Sequence, residues 1–167
     1  MAGRRREGIG IGVSGHRRLT PETADMVTRA VRESLRRHAG GGPLVGISCL
    51  AEGADQLFAE AVLAEGGDLD VVVPAAGYRE RMTEAARRGF DRLVARAWRV
   101  TRLPYPESKG PAYMAASLVL VERSDLLLAV WDGARSASFS GTGDVVDYAR
   151  HLGVPVEVIW PEGAQRC

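Results

Sequence analysis

Residues 125–131 read Asp-Leu-Leu-Leu-Ala-Val-Trp and run into Asp132-Gly133. After the aspartate every position is apolar, so the run has no wet face. A strand of this kind is covered on both sides, as in a parallel sheet held between two layers of helices. Five further short β-like runs accompany it: Ile9 to Val13, Leu44 to Leu50, Leu69 to Val73, Arg99 to Leu103 and Val154 to Trp160. Between the runs the apolar period becomes helical. Thr20 is a good N-cap and Pro21 a good first helical residue, with Val27, Ala30, Val31, Ser34 and Leu35 on one face until Gly40-Gly41-Gly42. A second helix opens at Glu52-Gly53-Ala54-Asp55, carries Leu57, Phe58, Ala61 and Val62, and stops at Gly66-Gly67. A third is expected from Arg81 to Ala97, with Arg88, Arg92 and Arg96 on its wet side, and a last one from about Gly143 to Leu152, closed by Gly153.

The segment Ala112 to Val121 has almost no polar face, so its helix must be buried. Either the core encloses it, or a second subunit covers it together with the sheet; a homo-oligomer is the expectation. With right-handed crossovers, the alternation gives an α/β fold: a three-layer, Rossmann-like, doubly wound domain with a mainly parallel sheet of about six strands. No repeat or linker divides the chain, so residues 1–167 are read as one domain with 1–7 as a flexible tail. In such sheets ligands sit beyond the carboxyl ends of the strands, where the strand order reverses. The strand-to-helix loops are therefore where chemistry is sought.

Composition narrows the function classes. The 167 residues are 46% hydrophobic and 26% charged, which suits a globular domain and not a disordered chain. A chain of this length buries roughly 70% of its unfolded surface, so it needs no disulfide or structural metal. Its two cysteines, Cys49 and Cys167, lack any ligand spacing, and neither metal nor cofactor is expected. The 22 basic and 21 acidic residues leave a net charge of +1, and the one compact basic run is Arg4-Arg5-Arg6 at the N-terminus. That balance disfavours nucleic acid as a partner, because duplex binders present a basic stripe. Gly10 and Gly12 break the first apolar stretch below the ~7 to 15 residues of a signal-peptide core, and nothing approaches the ~20 residues of a membrane span. A soluble, cytoplasmic protein without membrane contact is the expectation.

Three loops can carry a ligand. Gly12-Val13-Ser14-Gly15-His16-Arg17-Arg18 offers close backbone approach and donors from Ser14, His16 and Arg17, although it is neither the Rossmann glycine pattern nor a Walker loop. A plain strand-exit turn explains it equally well. Beyond the second run, Glu52 and Asp55 are acidic near a helix start, where carboxylates stabilise the helix by ~0.3–1 kcal/mol without any function. Glu52 is favoured as a contact to ribose hydroxyls or an amino group, and Asp55 is left as a capping charge. Beyond the fifth run, Asp132-Gly133 opens a loop through Ser136, Ser138, Phe139 and Ser140 to Gly141-Thr142-Gly143-Asp144. Small residues at a helix start let phosphate approach the amide groups, with Thr142 adding a hydroxyl. Capping would explain Asp144 and Asp147 and is accepted for Asp147; His38 and His151 are read as favoured by helix C-termini or simply exposed, and Tyr78 either as a cover for a base or as a surface tyrosine.

Taken as a set, Gly12 to Arg17, Leu50-Ala51-Glu52-Gly53-Ala54-Asp55, Ser124 to Gly133 and Gly141-Thr142-Gly143-Asp144-Val145-Val146 resemble the SLOG superfamily of Rossmann-like nucleotide-binding proteins. The resemblance implies a domain that binds a nucleotide or nucleotide-derived ligand, as a sensor or carrier, through the first loop and the Gly-Thr helix start. The implied contacts are Ser14, Gly15, His16, Arg17, Glu52, Asp132, Gly133, Gly141, Thr142 and Gly143. One branch, the Lonely guy phosphoribohydrolases, releases the base from nucleoside 5'-monophosphates and carries P-G-G-x-G-T-x-x-E. Here only Gly141-Thr142 match; Ser138 and Phe139 occupy the glycine positions and Val145 the glutamate position. Hydrolysis needs a carboxylate beside the sugar, so Glu52 and Asp144 are the catalytic candidates of that alternative. A DNA-binding use of the fold, as in DNA-processing protein A, is disfavoured by the charge balance.

Overall fold

The computed structural model describes residues 7–135 and 140–167. The Arg4-Arg5-Arg6 run and the loop residues Ser136, Ser138 and Phe139 lie outside the described residues. Six parallel strands alternate with five helices: β1 (Ile9–Gly15), α1 (Pro21–Ala39), β2 (Leu44–Ser48), α2 (Ala54–Ala64), β3 (Asp68–Ala75), α3 (Glu84–Ala95), β4 (Arg99–Tyr105), α4 (Gly110–Glu122), β5 (Leu126–Val130), α5 (Thr142–His151) and β6 (Val156–Ile159). The strand order is β4-β3-β2-β1-β5-β6, and every pairing is parallel. The chain first steps outward from β1 to β4. It then returns through α4 to the other side of β1, where β5 pairs directly with β1.

Each layer has its own apolar core. Phe58, Val27, Val31 and Leu35 pack under α1 and α2 against Ile11 and Val71, while Ala116, Leu120, Val145 and Ala149 pack α4 and α5 on the opposite face against Ile47, Val72 and Leu127. All five residues of β5 are buried, as its sequence demands. In α4, Ala112, Ala116, Leu120 and Val121 are buried and Met114, Ala115, Leu118 and Val119 are half-buried. One copy of the chain thus covers most of this apolar helix. No described helix is long and apolar enough to cross a membrane.

Local signals place the helix ends. The Thr20 hydroxyl accepts the Thr23 N–H at 3.2 Å, and Gly40, with φ 56°, closes α1 in the left-handed conformation. The third helix departs from the expected 81–97. A 3-10 turn spans Arg79–Arg81 and Met82 is extended. Thr83 then caps α3 by accepting the Ala86 N–H at 3.2 Å. A threonine hydroxyl in competition for the backbone thus delays the helix. Arg88, Arg92 and Arg96 are exposed, as the periodicity indicates.

At the amino-terminal edge of the sheet, opposite the ligand edge, the buried Asp70 carboxylate is held by Arg99 at 2.5 Å and Arg123 at 3.1 Å. Arg123 also donates to Thr101 Oγ1 at 3.2 Å, which fastens the end of α4 to β3 and β4. Replacing Asp70 takes the buried carboxylate away from two half-buried guanidinium groups. Asp70→Ala is expected to cost about 3 kcal/mol, the low end for breaking a buried pair because both arginines retain some water. A lowered urea midpoint with an unchanged slope checks this; an unchanged midpoint would show the cluster to be ornamental. Gly15→Ala, whose added Cβ would sit 2.6 Å from Ala54 Cβ and 2.7 Å from Val130 Cβ, is expected to cost about 1–3 kcal/mol by overpacking, read in the same titration.

Candidate functional site

Because the chain turns in opposite directions beyond β1 and β5, the loops leaving these strands diverge and open a crevice at their carboxyl ends. A cavity of about 650 Å³ occupies it. Ser14, Gly15, His16 and Arg17 form one wall, Gly141 and Thr142 at the start of α5 another, and Cys49, Asp55, Tyr78 and Tyr113 also line it.

The first wall is fixed by backbone contacts. His16 N–H donates to Val130 O at 3.1 Å and Ala54 N–H donates to His16 O at 3.1 Å, so the loop beyond β1 is clamped between β5 and the start of α2. Gly53 adopts φ 85°, and a Cβ there would lie 2.3 Å from Arg17 O. Only glycine suits both the conformation and the approach. Leu50 in the same turn has φ 55° and is fully buried, a strained conformation for a leucine that its packing holds in place.

His16 has both ring nitrogens occupied. Nε2 lies 3.1 Å from Asp132 Oδ1 and 3.1 Å from the Asp132 amide nitrogen, while Nδ1 faces Arg166 Nη1 at 3.4 Å. Unprotonated, Nε2 accepts the Asp132 N–H; protonated, it donates to the Asp132 carboxylate while Nδ1 accepts from Arg166. Burial lowers the imidazole below its ordinary value, with Arg166 adding to the effect and Asp132 opposing it. His16 is therefore a neutral brace between the two loops. Burial works against ionisation of Asp132, but the Ala134 amide, His16 and Arg166 outweigh it and hold that carboxyl below the usual range.

Arg166 arrives from the carboxyl-terminal tail. Thr20 N–H donates to Gln165 O at 3.3 Å and Gln165 N–H donates to Thr23 Oγ1 at 2.7 Å. The tail thus runs across the start of α1 and delivers the guanidinium to Asp132 Oδ2, 3.1 Å away, at the cavity wall. Arg135, paired with Asp147 at 2.6 Å, and Arg17, 5.4 Å over the Tyr113 ring, line the same cavity. Together with the α5 N-terminus they make this edge suited to anions.

The expected contacts divide. Ser14, Gly15, His16, Arg17, Gly141 and Thr142 line the cavity. Asp132 braces His16, and Gly143 lies buried beneath the Trp131 ring. Gly133, exposed with φ 83°, lies in the turn beside them, outside the cavity wall. Glu52 stands in a small adjoining recess with Arg17, Tyr78 and Tyr113, where its carboxylate accepts the Thr83 hydroxyl at 3.0 Å. Asp144 accepts the Ser140 amide at 2.9 Å and so shapes the turn into α5. Asp147 serves Arg135 instead of capping, and His38 Nε2 meets Glu157 Oε2 at 2.6 Å. Tyr78 is not a surface residue: it is buried, edge-to-face with Phe90 and Tyr113.

Several lining residues escape sequence reasoning, among them Tyr113, Ser117, Asp55, Arg135 and Arg166. Tyr113 and Ser117 stand four apart on one face of α4, a spacing the sequence displays. Arg166 carries no such signal, since only the folded tail brings it there. Asp55 was read as a capping charge, and it does accept the Ala51 amide at 3.2 Å, yet it also lines the cavity.

By sequence, the chain matches no protein-family model and no curated protein. By structure it is similar to DNA processing protein A of Streptococcus pneumoniae (TM-score 0.69, 18% identity, 93% of this chain and 52% of that one). It is also similar to DNA processing protein A of Helicobacter pylori, described for its single-stranded DNA binding mode (TM-score 0.64, 15% identity, 95% and 69%). A third is the molybdenum cofactor binding protein of Rippkaea orientalis (TM-score 0.58, 15% identity, 92% and 77%). The chain spans about half the length of the pneumococcal protein. These likenesses correct one expectation. A net charge of +1 does not disfavour nucleic acid, because this fold serves a single-stranded DNA binder, and a sum over the chain does not describe the charge lining one crevice. The chain shares the Rossmann-like α/β fold of these proteins.

Proposed function

We propose that this chain binds a nucleotide or nucleotide-derived small molecule in the crevice between the β1 and β5 loops, with the anionic group against the start of α5. The observation that carries this reading is the convergence on one cavity of Gly141, Thr142, Arg17, Arg135 and Arg166. A helix N-terminus and guanidinium groups both favour phosphate, and the α5 amides are approachable because its first residues are small. The cavity is also of the size that small-molecule sites have, about 300–1,000 Å³. That a similar fold holds a molybdenum cofactor agrees with a carrier or sensor role.

Binding without turnover is the reading favoured over base release. Hydrolysis would require a carboxylate beside the sugar. The two carboxylates expected for that role are engaged elsewhere, Glu52 at the cap of α3 and Asp144 at the Ser140 amide, and Val145 is apolar; base release would have to pass through Asp55, the carboxyl that lines the cavity.

The test is to incubate the protein with nucleoside monophosphates, NAD, ADP-ribose, cyclic nucleotides and a short single-stranded oligonucleotide, then to identify bound and free species by mass spectrometry. An intact mononucleotide or its derivative is expected in the bound fraction. Arg17→Ala removes a charge-assisted hydrogen bond of about 1.5–3 kcal/mol, roughly 10–100-fold in affinity; Thr142→Val is expected to weaken binding less, and Glu52→Gln to leave it unchanged. Free base in solution, or retention of the oligonucleotide alone, would overturn the proposal.

A further inference from the structure

Asp55 is unusual among the acidic residues of this chain. It lies in the first turn of α2, 8% exposed, and no arginine, lysine or histidine pairs with it among the described residues. Oδ2 accepts the Ala51 amide at 3.2 Å, and the residue's backbone carbonyl accepts the Ser48 hydroxyl at 3.2 Å. Those bonds fix the side chain but leave Oδ1 without a protein partner. Asp55 lines the cavity, and Oδ1 is the carboxyl oxygen that no described protein group engages.

The surroundings decide which form of the carboxyl occupies this place. Cys49 and Ala51 flank it from the β2 exit, His16 and Arg17 from the loop beyond β1, Tyr78 from beyond β3 and Tyr113 from α4, with Glu52 in the adjoining recess. Burial pushes the Asp55 carboxyl up to about 7, against the opposing pull of the Ala51 amide and Arg17. Burial also raises the Cys49 thiol and the Tyr78 phenol. A ligand seated in the cavity removes further water, and an anionic one adds like charge; both favour the neutral acid.

We propose that Asp55, as a neutral carboxylic acid, donates a hydrogen bond from its free oxygen to the ligand, so that the cavity selects a molecule anionic at one end and bearing a hydrogen-bond acceptor at the other. This rests on the nucleotide reading above and specifies it. Asp55 follows β2 and α5 follows β5, with β1 between them. Two inter-strand spacings, about 10 Å along the sheet, separate the strands that lead to the acid and to the anion subsite. Phosphate chemistry alone would be served by the arginines; a neutral acid adds recognition of the uncharged part. Asn presents a fixed N–H donor in nearly the same shape, so Asp55→Asn mimics the form that binds.

The experiment has two arms. First, the carboxyl 13C shift of Asp55 is titrated in the ligand-free wild-type protein; a midpoint near 7 is expected, and one in the ordinary range near 4 overturns the proposal whatever binds. Second, the affinity for ADP-ribose, whose diphosphate stays ionised throughout, is measured from pH 6 to 9 for wild type and Asp55→Asn. Cys49 and Tyr78 titrate above this window, and burial moves His16 downward, away from the pH 7.5–8.5 interval that decides the outcome. Wild-type affinity is expected to hold at low pH and to fall about tenfold between pH 7.5 and 8.5, while Asp55→Asn binds as tightly as the protonated wild type at every pH. Binding with a flat wild-type profile, or uniform weakening by Asp55→Asn, overturns the role of Asp55 and leaves the nucleotide reading standing. Absence of binding at any pH overturns both.

Discussion

The reversal of strand order at β1 is the constraint on which the rest depends. β1 is the one strand whose two neighbours are reached by opposite winding, so the backbone leaving it cannot be covered by either helical layer. The space is kept narrow by contact rather than by charge. Gly15 brings β1 against Val130 on one side and Ala54 on the other, with no room for a side chain. Every polar group at the crevice is positioned relative to that contact: His16 one residue later, Asp55 one residue into α2, and the Asp132 turn beyond β5.

The ligand edge and the opposite edge of the sheet use charge differently. Asp70 is buried with two arginines and is spent on holding α4, β3 and β4 together. At the crevice, Arg17 lies over a tyrosine ring and Asp55 is buried without a counter-ion, so both remain open to a ligand. Buried charge that is fully paired maintains architecture, whereas buried polar groups left unpaired mark places where binding can recover a desolvation cost.

Much of the fold was legible because its signals are local. The unbroken apolar run of β5 requires cover on both faces, and Thr20-Pro21 and Gly40 mark the ends of α1 in the sequence itself. The start of α3 was misplaced because Thr83 offers a cap inside a pattern whose apolar period continues past it. The site was half legible. Loops at strand exits announce themselves through glycine and small polar residues, so Ser14 to Arg17 and Gly141-Thr142 were found. Glu52 and Asp55 stand three residues apart in the same acidic turn, and composition cannot say which faces the cavity; the cap of α3 takes Glu52 and burial turns Asp55 inward. Arg166 was invisible because it reaches the crevice through a tail that pairs with the start of α1.

The central claim is that the crevice flanked by the β1 and β5 loops is the ligand site and that α5 receives the anion. Amide 1H–15N shift mapping with adenosine 5'-monophosphate tests it most directly. The account predicts saturable shifts concentrated at Ser14 to Arg17 and Gly141 to Val145, with the amides near Asp70 and Arg99 unmoved. Saturable shifts centred on that opposite edge, or none at millimolar nucleotide, would contradict it.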